Sequence, residues 1–377
     1  MGIKDLMKSL LDYEVFDNTN GYTKKPNSPL FLDYNYIFHT CRYSIRTIDQ
    51  INTFPLLIAN RIHNIHIPNN NYNNYNNYNE GKDSNEGNDS NDSSNTYPLI
   101  IVIDKGKINV KDKERLRRKQ SEPRAIDVMI MEHRLLHEQR SLNTLMSRFE
   151  NNNSNNSNNE SNSNNSNNSS NNESNSNNET SYPIIEHYPY SDHAEISNEV
   201  SELIRLGHKL IVIHANQFDA EYSIILLAKY IDPINSTIIS GDQDTIALMI
   251  INIPRASIIY RNSLYQLIQD RKVIKLARFI VFCCVIINKS DYFEGINYLT
   301  CVTFLASLDQ KHDFSIRKQS KSNSIIYRNQ ELMCSIINSC KNKNNKYYDN
   351  DDFTDFFVKY IRDVCQFLRL DTDFYLQ

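Results

Sequence analysis

Four short unbroken apolar runs punctuate the chain: LFL at 30–32, LIIVI at 99–103, LIVI at 210–213 and TII at 237–239. Continuous rather than alternating apolar character predicts strands buried on both faces, as in a parallel sheet covered by helices. ASIIY at 256–260 is a further strand candidate. Between these runs the pattern predicts helices over 3–12, 35–62, 111–149, 192–206, 218–230, 244–251 and 271–288. Strand and helix in alternation imply an α/β fold of three layers, with a mainly parallel central sheet and helices on both faces. Phe356, Phe357, Ile361, Val364 and Phe367 or Leu368 are spaced for a short amphipathic helix docking onto the body.

Two tracts break the pattern. Residues 151–180 hold 17 Asn and 9 Ser with no apolar side chain, and 69–96 is built of Asn, Tyr, Ser and acids. Neither has the apolar surface to offset chain ordering, so both read as disordered inserts, at 69–96 and 150–181. Roughly 320 residues remain, enough for a sizeable core. The expected organisation is a body assembled from 1–68, 97–149 and 182–300, then a C-terminal helical region at 301–377.

Charge matters through its placement. The formal net charge is −4, yet residues 105–119, KGKINVKDKERLRRK, carry eight Lys or Arg against Asp112 and Glu114. Such a block predicts a local anion-binding surface. Seven cysteines without a CxxC pair argue against a zinc site or a disulfide framework and fit a reducing compartment. The opening MGIKDLMKSL lacks a long apolar stretch, and Leu6 stands where myristoylation wants Ser or Thr. FIVFCCVII at 279–287 is too short for a bilayer, which needs about 20 residues. The expectation is a soluble chain in the cytoplasm.

The candidate chemistry lies just past the apolar runs. LFL ends in Asp33, LIIVI in Asp104, and TIIS is followed by Gly241, Asp242 and Asp244, while LIVI leads through His214 to Asp219. One Asp after a strand is ordinarily a helix cap or turn residue. Four strand ends delivering acids to one rim are harder to explain by capping, because ligand sites in open parallel sheets lie at that rim. Crowded carboxylates repel, and hard divalent cations with oxygen ligands are their natural counter-charge. Two such ions can activate water and stabilise a leaving oxygen of a phosphodiester. Basic residues for the phosphate backbone beside acids for metals are the signature of a nuclease.

The same blocks resemble the flap endonuclease superfamily of structure-specific 5′ nucleases, most closely its poxvirus members. MGIKDLMKSLL is similar to the family's start, LFLDYNYIFHTC and LIIVIDKGKINVKDKERLRRKQ to its first two metal strands, and HANQFDAEYSIILLAKY to its acidic helix start. TIISGDQDTIAL is similar to its Asp-x-Asp block and NKSDYFEGI to the element with the last aspartate. The resemblance spans roughly residues 1–300, with the blocks in family order.

It implies Mg²⁺ ligands at Asp33, Asp104, Asp219, Asp242, Asp244 and Asp291, holding two ions that Mn²⁺ can replace. It places Lys111, Arg115, Arg117 and Arg118 where the family clamps the scissile phosphate, and helical phase, which puts Lys111, Arg115 and Arg118 on one face, favours those three for that role. It implies DNA contacts at Gly2, Lys111, Lys113, Arg115, Arg117, Arg118 and Lys119. The implied activity is hydrolysis of DNA at flaps, junctions or 5′ ends in viral replication, repair or recombination, by a monomer, with 105–208 as a mobile arch. A catalytically weakened DNA-binding scaffold and an RNA-directed 5′ nuclease are the alternatives.

The chain departs from the family in places. Gln217 stands where the family's acidic helix start has its first acid, and Glu221 is a substitute that helical phase would turn by about 200° from Asp219. After Asp291 the Gly-rich helix–two-turn–helix signature is absent, and no C-terminal sliding-clamp motif is present. His133 and His137 read as exposed polar positions on a basic helix, and His63 and His66 as equally structural. Cys283 and Cys284 read as packing, and 341–355 as a loop.

Overall fold

The computed structural model describes residues 3, 5–17, 28–66, 98–105, 124–154, 182–188, 193–261, 263–287, 290–293, 359 and 362–369. Residues 150–154, expected to open the second disordered tract, are instead the end of helix Arg134–Ser154. Expectations for the rest of that tract, for the first tract, for Gly2, for Lys111–Lys119 and for 341–355 fall outside the described residues. The described strands are β1 (Phe16–Asp17), β2 (Leu30–Asp33), β3 (Leu99–Asp104), β4 (Ile184–His187), β5 (Leu210–Ala215), β6 (Thr237–Ile239), β7 (Ser257–Tyr260) and β8 (Ser263–Leu267). They form one sheet in the order β1-β8-β7-β6-β2-β3-β5-β4. From β7 across to β4 every pairing is parallel, and β8 and β1 add an antiparallel margin.

The unbroken apolar runs have the expected cause. Phe31, Ile100, Val102, Ile211, Ile213 and Ile238 point into one hydrophobic core, and their neighbours Leu32, Leu99, Ile101, Ile103, Leu210, Val212 and Ile239 into a second. Helices Leu6–Asp12, Ala220–Ile231, Gln243–Asn252 and Arg271–Ile287 contribute to the first core. Helices Tyr34–Ser44, Phe54–His66 and Arg134–Ser154 contribute to the second. The fold is therefore α/β, with a mostly parallel sheet between two helical layers.

The chain leaves β2 for β3 and β5 on one side and returns to β6 and β7 on the other. Strand order thus reverses between β2 and β6. At such a switch point the loops leave the strand ends in opposite directions and open a crevice at the carboxyl rim.

Several expectations are corrected. The helix predicted over 35–62 is divided, because Ile45 and Thr47 are extended and a 3₁₀ turn at Ile48–Thr53 intervenes. Gln50 Oε1 accepts from the backbone N–H groups of Arg46 and Thr47, at 2.7 and 3.2 Å, and so pins that break. Pro55 then fits the first turn of the next helix, where its missing N–H costs nothing. Within 124–154 a second break falls at His133, whose φ of −104° and ψ of 22° separate Ala125–Glu132 from Arg134–Ser154. His133 is exposed as expected, but His137 is buried edge-on against Phe54, with ring centroids 5.2 Å apart. β1, β4 and β8 carried no strand prediction.

Cys283 and Cys284 lie fully buried in the first core. Val364, Phe367 and Leu368, in the helical residues 362–368, are buried in the same core. Among the described residues no helix is long and apolar enough to cross a membrane.

Ile101 is fully buried in the middle of β3, in register with Leu32 and Val212. Ile101→Ala removes packing that nothing nearby can replace, with an expected loss of about 2–5 kcal/mol. A shift in the urea midpoint at constant slope checks this.

Candidate metal centre

Three helices begin at this carboxyl rim, and each is preceded by an aspartate. Asp33, extended at the end of β2, accepts through Oδ1 from the N–H groups of Asn35 and Tyr36, at 2.9 and 3.3 Å. Asp242 follows β6 and accepts through Oδ1 from the Asp244 N–H at 3.1 Å. Both residues cap their helices, so the capping explanation holds for them. Asp219 precedes Ala220–Ile231 but makes no capping bond; its Oδ2 accepts instead from the Tyr292 hydroxyl. Three helix N-termini concentrate positive potential on the acids.

The acids converge. One carboxylate oxygen each from Asp242, Asp244 and Asp291 lies within 4.8 Å of the other two. Asp33 is close enough to Asp219 and Asp242 to feel both charges. The Tyr292 hydroxyl joins Asp219 to Glu221, whose Oε2 lies 3.4 Å away. Asp33, Asp219, Glu221, Asp244 and Asp291 are all buried. Asp104 ends β3 beside β2, half-buried on the same rim, but stands outside the tight trio.

Electrostatics make this crowd costly. Two like charges about 5 Å apart repel by roughly 3 kcal/mol at an effective dielectric near 20. Burial above all pushes the Asp33 carboxyl up to about 7, and the charges of Asp219 and Asp242 push the same way. The hydrogen bonds from Tyr36 and Asn35 oppose the rise without cancelling it. A hard divalent cation relieves this strain, and an all-carboxylate donor set suits one. The residues present therefore fit a bound metal. Asp242, Asp244 and Asp291 could share an ion, and Asp33 lies near Asp242 and Asp219.

The loops are held by their own packing. Gln217 adopts a left-handed backbone with φ 61° and is exposed. Phe218 is clamped between His187, stacked at 4.9 Å and 20°, and Tyr222, stacked at 5.8 Å and 13°. The His187 imidazole donates to or accepts from His193 at 2.9 Å, and burial followed by the His193 charge pushes it down to about 3. That clamp sets the position of Asp219.

On the other side, the Ile3 N–H donates to Asp244 Oδ1 and the Met7 N–H to Gln243 Oε1, both at 2.9 Å. The N-terminal segment is thus fastened to the Asp-x-Asp block. Tyr36 lies so close to Gly241 that a Cβ there would stand 2.1 Å from the ring.

Helical phase misplaced Glu221. Asp219 is extended, with φ −81° and ψ 137°, and lies outside the helix. No helical rotation therefore separates the two side chains. The acid pair of this loop is Asp219 with Glu221, and the signal was present in the sequence as Asp-Ala-Glu. Tyr292, next to Asp291, gave no such signal.

No family model matches the chain, and no curated protein does. Two solved structures of the catalytic core of Rad2 in complex with DNA substrate are similar to it, each at 12% identity, with TM-scores of 0.42 and 0.40. The overlays cover 98% and 96% of this chain and 88% and 85% of those chains. Likeness at that level leaves any functional reading to rest on the site itself.

Two outcomes are expected. With its carboxyl raised from 3.8 to about 7, Asp33 favours the fold when protonated, so that contribution is complete below pH 4 and is lost as pH rises through 7. In metal-free buffer Asp33→Asn should flatten the fall in melting temperature between pH 4 and 7. Gly241→Ala should cost about 1–3 kcal/mol by forcing the Tyr36 ring aside. Tyr36→Ala in the same chain should recover part of that loss, read from denaturant midpoints.

Proposed function

We propose that this chain is a divalent-metal-dependent nuclease of the flap endonuclease type, hydrolysing phosphodiesters at DNA flaps, junctions or 5′ ends. The observation that carries the reading is the convergence of Asp242, Asp244 and Asp291 within 4.8 Å at the switch point of the sheet. The resemblance of the ordered sequence blocks to that superfamily, and to its poxvirus members, supports the same reading.

Asp33, Asp219, Glu221, Asp242, Asp244 and Asp291 would hold two Mg²⁺ ions, with Mn²⁺ as a substitute, and Asp104 would act from the adjoining strand end. When bound, the ions supply polarisation of the scissile phosphate and of the attacking water. Water oxygen forms the new bond to phosphorus, and the bond to the leaving sugar oxygen breaks. Lys111, Arg115 and Arg118 would stabilise charge on the phosphate oxygens, and Lys113, Arg117, Lys119 and Gly2 would bind the strand. The reacting phosphate must leave the paired duplex to reach buried acids, an unpairing cost akin to base flipping. The chain would act as a monomer, in the host cytoplasm if viral.

Gln217, standing where the family's acidic helix start has its first acid, favours the weakened-scaffold alternative. Glu221, buried and sharing the Tyr292 hydroxyl with Asp219, supports the enzyme reading over that alternative.

A 5′-labelled DNA flap incubated with Mg²⁺ should be cut near the junction, and EDTA should abolish cutting. Asp242→Ala should lower the rate more than about 100-fold, beyond the 10–100-fold typical of changes to a ligand's own partners. Tight flap binding without cleavage under Mg²⁺ or Mn²⁺ would sink the enzyme reading. Preferential cutting of the matched RNA flap would move the substrate class to RNA.

A further inference from the structure

The residues 290–293 form a tight turn. Ser290 Oγ accepts from the N–H groups of Tyr292 and Phe293, at 3.2 and 2.9 Å, and the Ser290 N–H donates to the Phe293 carbonyl at 2.8 Å. Asp291 sits in the middle of this turn. Its two aromatic residues do not pack only on the sheet. Phe367, from the helical residues 362–368, meets the Tyr292 ring at 4.3 Å and the Phe293 ring at 5.6 Å.

A second tie fixes the same segment. Asn252 Nδ2 donates to the carbonyls of Leu248, at 2.9 Å, and Leu368, at 2.8 Å. Asn252 closes the helix whose first turn carries Asp244 and whose cap is Asp242. Residues 362–368 therefore touch both units that deliver the converging trio. Through the Tyr292 hydroxyl they also reach Asp219 and Glu221.

We propose that residues 362–368 are a positioning element for the carboxylate pocket, acting through Phe367 on Tyr292. Full affinity for a divalent cation then requires this segment to be docked. The inference rests on the metal-dependent reading above and adds its control from the C-terminal side. Physically, the Tyr292 hydroxyl holds one oxygen of Asp219 and so orients the carboxylate. Loss of such a partner typically weakens metal binding 10–100-fold. Phe367 fills the space behind the Tyr292 ring, so its removal lets the ring, and the hydroxyl with it, leave that orientation.

The test is Mn²⁺ titration of the full chain followed by electron paramagnetic resonance, with circular dichroism reporting the fold. Phe367→Ala should weaken Mn²⁺ binding at least about 10-fold, and Phe367→Leu should restore most of it. Tyr292→Phe keeps the ring and should give a similar loss. Adding Phe367→Ala to Tyr292→Phe should cause little further loss, because both act on one contact. Unchanged Mn²⁺ affinity in folded Phe367→Ala, or losses that multiply in the double variant, would overturn the proposal. If Phe367→Ala does not fold, Asn252→Ala decides: weaker binding supports the proposal and unchanged binding overturns it. A wild-type chain that binds no Mn²⁺ would remove the metal-dependent reading and this inference together. A wild type that binds Mn²⁺ no more tightly than folded Phe367→Ala would remove only this one.

Discussion

Carboxylates crowded within 4.8 Å of one another are the constraint around which this molecule is arranged. Parallel strands bring Asp33 and Asp242 to one rim, and the cap and first turn of the helix after β5 add Asp219 and Glu221. The repulsion is only partly offset within the chain. Helix N-termini, the N–H groups of Asn35 and Tyr36, and the Tyr292 hydroxyl all favour ionised acids, yet burial still holds the Asp33 carboxyl at about 7. A bound cation would complete what these dipoles begin. The site is therefore a place where the fold gives up stability that an apolar cluster would have supplied.

Holding repelling groups together takes rigid support, and the surrounding contacts supply it. Phe218 is gripped between His187 and Tyr222, and the neighbouring Gln217 takes a left-handed backbone that few non-glycine residues adopt. Burial keeps the His187 imidazole neutral near physiological pH, so it serves as a flat packing surface and not as a charge. Tyr36 lies against the bare Cα of Gly241 immediately before Asp242. From further away, Ile3 is bonded to Asp244 and Phe367 to the Asp291 turn by ring packing. Residues near both ends of the described chain are thus tied to the Asp-x-Asp helix or to the Asp291 turn.

Much of this was readable before any coordinates. Unbroken apolar runs marked β2, β3, β5, β6 and β7, because a strand covered on both faces has no solvent side to keep polar. The acids just past them marked the rim. β4 escaped notice because it lies at the sheet edge and alternates, with Ile184 and Glu186 outward and Ile185 and His187 inward. A four-residue alternation is too short to stand out from a loop. β8 is partly exposed along most of its length and gave no apolar run. His137 looked polar because periodicity on a charged helix cannot reveal that Phe54 comes to meet it.

Sequence alone determined the layered α/β architecture and the six aspartates worth watching, since burial pattern and strand-end position are local properties of the chain. Tertiary structure decided which acids meet: Asp242, Asp244 and Asp291 as a trio, and Glu221 in place of Gln217 beside Asp219. It also revealed the tyrosine that joins them and the C-terminal residues behind it. The reason is physical. Whether a side chain faces a pocket depends on the backbone angles of one or two residues at a helix start and on partners far along the chain. Neither is written in the spacing of residue types.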